Sequence, residues 1–148
     1  MTDAERCYLA ALRILGYRFN SELELRRKLQ RKKFEKAIID AAIVRLRDEK
    51  FLDDQRFAGA FARTRARRRI GAKRIVLELR AAGVDDEVAS RAVTENIDPE
   101  QEREQVRALI ERRADLLAKP DGRKRLFSYL LKQGYDAGVI SDELHRIP

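Results

Sequence analysis

Tryptophan is absent from these 148 residues, and cysteine, methionine and histidine occur once each. A lone Cys7 leaves no internal disulfide to form, so nothing points to an oxidising compartment. With no histidine near it in sequence, Cys7 reads as a small helical hydrophobe and not as a nucleophile. No apolar run is long enough to cross a bilayer, and the N-terminus shows no signal-peptide core. A cytoplasmic location is therefore the expectation. The seven glycines are scattered, and none builds a phosphate-cradling loop. No metal-ligand spacing and no nucleophile elbow occur. The chain carries no signature of an enzyme, and neither cofactor nor metal is expected.

What is present is helical material. Hydrophobic residues make up 44% of the chain and charged residues 39%, with only three prolines. A chain rich in Ala, Leu, Glu, Lys and Arg suits helices with solvated outer faces. Six phenylalanines and four tyrosines leave most of the packing to Leu, Ile, Val and Ala. The net charge of +8 favours nucleic acid, an anionic membrane or an acidic protein, in a salt-dependent way.

An apolar pattern recurs about every fifty residues. Residues 21–43, 71–93 and 122–144 align so that Leu25, Ile75 and Leu126 share a register. Leu29, Leu79 and Leu130 do too, as do Phe34, Val84 and Tyr135, and Ile38, Val88 and Val139. Identity between the units is low; the shared feature is helical spacing. The expected fold is all-α, an elongated curved array of three tandem three-helix repeats at 1–51, 52–97 and 98–148. Units this small bury little alone and are expected to support one another in a row.

Local signals place the helices. Ser21 followed by Glu24 is a capping box, and Asp98-Pro99 is a cap with proline in the first turn. Asp53-Asp54 and Asp85-Asp86 sit where helices begin, so they read as caps and not as acid/base pairs. Gly71 opens a helix and Gly83 closes it, with Gly134 at the equivalent closing position. The first unit has Lys33 there, so either a non-glycine residue takes the left-handed conformation or that helix ends differently. His145, near a helix C-terminus, reads as a favourable cation there. Tyr8, Tyr17, Phe19, Phe127, Tyr129 and Tyr135 read as core and not as stacking platforms. Leu77, on the outer side of its helix, either packs against a neighbouring unit, the favoured reading, or marks a partner contact.

The charge is uneven. Residues 63–74 hold Arg63, Arg65, Arg67, Arg68, Arg69, Lys73 and Arg74 and no carboxylate. Centring the apolar stripe on Phe57 and Phe61 places Arg56, Arg63 and Arg67 on the opposite face. Arg27, Lys28 and Arg31 occupy the outer side of an earlier helix, and Arg74 points away from Ile75 and Leu79. Charge runs usually just solvate a helix, but such faces interleave both signs. An all-arginine face suits phosphate or carboxylate partners. The candidate partner- or DNA-binding set is thus Arg27, Lys28, Arg31, Arg56, Arg63, Arg67, Arg68, Lys73 and Arg74.

The block running from Phe51 through Leu52-Asp53-Asp54, Arg56-Phe57-Ala58, a basic stretch, Gly71 and Leu79 to Gly83 resembles the RecX family. So does SELELRRKL at residues 21–29. Lys32-Lys33-Phe34 and Lys50-Phe51 depart from the family pattern at two turns, and the third unit matches least. The resemblance implies a non-enzymatic regulatory protein of homologous recombination, DNA repair and the SOS response. It implies binding in the groove of the RecA filament on single-stranded DNA and no membrane partner, with inhibition of strand exchange, ATP hydrolysis and coprotease activity. A monomer is expected. Direct, non-specific DNA binding through helical modules is the alternative; no recognition helix or dimerisation zipper marks a sequence-specific reader. A membrane binder is disfavoured by the lack of tryptophan and of large apolar faces on the basic helices.

Overall fold

Six of the nine α-helices in this chain are capped at their start by a short polar side chain. In a computed structural model that describes residues 1–148, Thr2 and Ser21 each form a capping box, with Glu5 and Glu24 respectively. Asp53, Asp85, Asp98 and Asp136 accept backbone N–H bonds at four further starts. The resulting helices are α1 (Asp3–Tyr17), α2 (Glu22–Arg31), α3 (Lys36–Asp48), α4 (Asp54–Arg67) and α5 (Ala72–Ala81). They continue with α6 (Asp86–Asn96), α7 (Pro99–Arg112), α8 (Gly122–Lys132) and α9 (Ala137–His145). A 3₁₀ turn over Ala114–Ala118 precedes α8, and there is no strand.

The turns after α2, α5 and α8 use one left-handed residue each: Lys33 at φ 70°, Gly83 at φ 86° and Gly134 at φ 100°. Lys33 adopts the left-handed conformation, at a cost of about 1 kcal/mol.

Buried side chains fall into three clusters. The first joins Cys7, Leu25, Leu29, Ile39, Ile43 and Leu46 from α1 to α3, and Leu52 completes it. The second joins Phe57, Ala58, Ala62, Ile75, Leu79, Val84 and Ala89. The third joins Val106, Ile110, Leu126, Leu130, Tyr135 and Ile140. Leu25, Ile75 and Leu126, aligned in sequence, are fully buried, one per cluster. Cys7 is inert packing, its thiol pushed up by burial. In the third cluster the buried Glu143 accepts from Arg103 and Arg107, whose guanidiniums hold its carboxyl below the usual range.

Some expectations fail. Leu77 is 60% exposed and packs against no neighbouring unit. Tyr17 is 86% exposed and Phe19 is half exposed, because the chain after α1 turns outward before the Ser21 cap. Tyr8 packs at the edge of the first core, its ring under the Arg45 guanidinium and its hydroxyl donating to Glu49.

The clusters are joined at the second helix of each group. Ser21 Oγ donates to the Ala82 carbonyl at 2.6 Å, and a Cβ on Gly83 would strike Leu23. At the next joint the Gly71 N–H donates to the Gln133 carbonyl at 2.8 Å, and the Lys73 N–H to the Gly134 carbonyl at 3.1 Å. There Gly71 and Gly134 touch so closely that a Cβ on either would overlap backbone. A carboxylate from the following group completes each joint. Asp54 accepts from the Glu22 N–H at 2.9 Å, and Glu102 accepts from the Ala72 N–H. Asp54 therefore caps α2 and not its own helix, which corrects the reading of Asp53-Asp54 as a pair serving one start. Burial pushes both carboxyls, Asp54 and Glu102, upward.

Phe57, 3% exposed and stacked near Phe61 with ring centres 5.7 Å apart, anchors the second cluster. Phe57→Ala is expected to cost about 3–5 kcal/mol, read by urea unfolding; a wild-type midpoint would place Phe57 outside the core. At the joint, Asp54→Ala leaves the Glu22 N–H unpaired and is expected to cost about 1–3 kcal/mol. Asp54→Asn keeps an acceptor oxygen and should retain most of that stability at pH 7. Equal losses in both variants would show that the hydrogen bond does not hold the joint.

Candidate functional site

Helix α4 separates its arginines by their angular position. Arg65 turns toward α5, where Nε and Nη2 donate to the Glu78 carboxylate at 3.0 and 2.6 Å. That fork is half buried and holds two helices together. Arg26 with Asp40 and Arg80 with Asp86 serve in the same way. On the other side of α4, Arg63 donates to the Asn96 side chain at 2.7 Å, at the end of α6. Arg67, one turn further, is exposed and pairs with no carboxylate.

Arg63 and Arg67 line an open groove of about 410 Å³ between the end of α4 and helix α7. Arg69 joins them, and Asn96, Gln101, Glu104 and Gln105 complete the polar wall. The apolar lining is two alanines, Ala66 and Ala108. Gln105 is fixed in place: its amide donates to the Ala66 carbonyl at 3.1 Å and accepts from the Tyr135 hydroxyl at 2.9 Å. Burial pushes the Tyr135 phenol up, so it remains a donor. Arg69 takes a left-handed backbone at φ 63°, and its Nη1 is shut off from solvent without a hydrogen-bond partner.

The remaining candidates lie elsewhere. Arg56 donates to the Lys50 carbonyl at 3.1 Å and lies 5.2 Å from the Phe19 ring centre. Lys73 pairs with Asp136 at 3.3 Å, and Arg74 reaches Gln133 at 3.4 Å, so both serve the joint to α8. Lys28 is half buried and donates to Asn20 at 2.7 Å; desolvation, aided by Arg18, lowers its pKa. Arg27 and Arg31 are exposed on α2, and Arg68 is exposed at the end of α4. None of these seven lines the groove. Sequence reasoning did not single out Arg69, whose local signal is its place just past a helix end, or the α7 residues, which carry no signal linking them to α4.

Two family models match the chain: the first three-helix domain of RecX over residues 7–46, and the second over residues 53–93. A regulatory protein RecX of Trichlorobacter lovleyi is 36% identical over 139 residues, covering 90% of each protein. One from Oceanobacillus iheyensis is 34% identical over 140 residues, which are 92% of this chain. The chain spans about half the length of that relative, 51%. The crystal structure of RecX from Lactobacillus salivarius superposes with a TM-score of 0.87 at 25% identity, covering 98% of this chain and 96% of that one.

The division among arginines is measurable. Arg65→Ala should lower unfolding stability by about 1–2 kcal/mol, after allowing for solvent screening of a half-buried fork. Arg67→Ala should change it by less than about 0.5 kcal/mol. The reverse ranking in urea denaturation would reassign which of the two is structural.

Proposed function

Because the chain belongs to the RecX family, we propose that it is a regulatory protein that binds the RecA filament on single-stranded DNA and restrains it. It inhibits strand exchange, ATP hydrolysis and coprotease activity without catalysing a reaction itself. The observation that carries this reading is the arginine face of α4, where Arg63 and Arg67 stand beside a groove with a single carboxylate, Glu104. Such a face suits acidic protein or exposed phosphate.

The three helix groups act as tandem repeats, divided at 1–51, 52–97 and 98–148, with Leu52 reaching back into the first core. They form an elongated, curved array that follows the helical groove of the filament as a monomer. Arg27, Lys28, Arg31, Arg56 and Arg68 extend the partner-facing surface, whereas Lys73 and Arg74 contribute from the joint. The protein works in the cytoplasm, where the recombinase is; none of its helices is long and apolar enough to cross a membrane.

The test is RecA's single-strand-dependent ATP hydrolysis, titrated with this protein well below the RecA concentration. Inhibition is expected at substoichiometric amounts. Arg63→Glu/Arg67→Glu should inhibit several-fold less while circular dichroism shows unchanged helicity. Full inhibition by that double variant would remove the patch from the mechanism. Inhibition only when the protein coats the DNA would replace the filament reading with direct DNA binding.

A further inference from the structure

We propose that the turn between α1 and α2, with the face of α4 beside it, is a docking site for a protein segment. The segment it fits is short and acidic and carries two bulky apolar side chains. This goes beyond the filament reading and does not depend on it.

The site is two hollows divided by one ring. Phe19 stands between them, and Phe57 belongs to the lining of both. On one side Leu12, Leu15 and Phe51 complete an apolar hollow of about 240 Å³. On the other, Ala60 and Phe61 of α4 border a hollow of about 290 Å³. Both fall short of the roughly 300–1,000 Å³ of a site for a whole small molecule, and they suit single side chains. Among the six phenylalanines and four tyrosines, the exposed ones are Tyr17, Phe19 and Phe51, at the end of α1 and just before α4. A gathered apolar surface with a polar rim marks an interaction site, whereas scattered exposed residues do not.

Phe19 is held outward by polar bonds on either side of it. The Arg18 guanidinium donates to the Phe19 carbonyl at 2.8 Å. The buried Asn20 side chain donates to the Arg18 carbonyl at 3.0 Å and accepts from Lys28 at 2.7 Å. Ser21 is tied in turn to Ala82. The ring is thus preorganised, and little freedom is lost when a partner closes over it.

The rim decides the partner's charge. Arg56 lies beside Phe19 and pairs with no carboxylate, its bond going to the Lys50 carbonyl. Arg18 reaches Glu24 only at 3.4 Å. The one carboxylate in the lining, Asp53, is occupied by the N–H groups of Gln55 and Arg56. The unmet charge is positive, so carboxylates flanking two apolar anchors complete the fit. A second copy of this chain would set Arg18 and Arg56 against themselves across a two-fold interface, with +8 on each copy. Base stacking needs open ring faces, whereas Phe57 is buried and Phe19 has Arg56 against it.

The test is the anisotropy of labelled acidic peptides, each with two Leu or two Phe residues three or four positions apart, titrated with the full chain. A control peptide has both anchors replaced by alanine. The anchored peptides should bind at least about tenfold more tightly than the control. Phe19→Ala should weaken them about tenfold. Thr64→Trp, which fills the second hollow from an exposed position, should do the same with the parent's unfolding midpoint. Arg67→Gln, outside both hollows, should bind as the parent does. Equal binding of the alanine control, or unchanged binding by Phe19→Ala and Thr64→Trp, would overturn the proposal. Equal weakening by Arg67→Gln would overturn it too, by reducing the interaction to general charge attraction. Oligothymidylate binding that Phe19→Ala weakens to the same degree would assign the site to nucleic acid instead. A concentration-dependent dimer abolished by Phe19→Ala would assign it to a second copy, which equally overturns the proposal.

Discussion

Every α-helix begins with N–H groups and ends with carbonyls that its own turns cannot satisfy. In this protein the middle helix of each three-helix group meets that need across a boundary. The start of α2 meets the end of α5 through Ser21 and Ala82, and the start of α5 meets the end of α8 through Gly71, Lys73 and the Gln133–Gly134 carbonyls. Each start also receives a carboxylate from the first helix of the next group, Asp54 or Glu102. Three clusters of eight to ten buried residues are each too small to be secure alone. The lapped ends make them one frame.

The two joints reach the same geometry by different chemistry. The first relies on a serine hydroxyl and on Leu23 filling the space beside Gly83. The second brings main chain directly against main chain, which requires Gly71 and Gly134 to lack side chains. The arginines are divided along similar lines. Arg65, Arg26 and Arg80 close forks or pairs within a group, Arg103 and Arg107 meet the buried Glu143, and Arg74 touches the joint. Arg63, Arg67 and Arg69 line the open groove.

Much of the local architecture was legible in the sequence, because caps and turns act over three or four residues. Ser21 with Glu24, Asp98 with Pro99, and the left-handed positions at Lys33 and Gly83 all carry their meaning in immediate neighbours. The apolar registers at Leu25, Ile75 and Leu126 were equally plain, since burial follows helical spacing. Contacts across the joints were not legible. Asp54 looked like a partner of Asp53, yet its acceptor bond goes to a residue 32 positions away. Arg65 could not be told from Arg67 without knowing that Glu78 lies opposite it. Periodicity also overstated the core: Tyr17 and Leu77 are mostly exposed, and Phe19 is covered on one side only, by Arg56. The site was half visible, as a run of arginine; its other wall, on α7, is supplied only by folding.

The second joint has main-chain bonds at its centre, with Glu102, Lys73 and Arg74 adding side-chain contacts around them. The Gly71–Gln133 and Lys73–Gly134 bonds would form with any decoration of the neighbouring outer faces, provided the two glycines stay. The second and third groups are held by these bonds together with Gln105, which ties α7 to the Ala66 carbonyl and the Tyr135 hydroxyl. The exposed surface can be rewritten residue by residue, from basic to neutral or acidic, on an unchanged chassis. For an engineer, that leaves Arg67, Gln101 and Glu104 as the groove positions to exchange, because Gln105 is held by the frame.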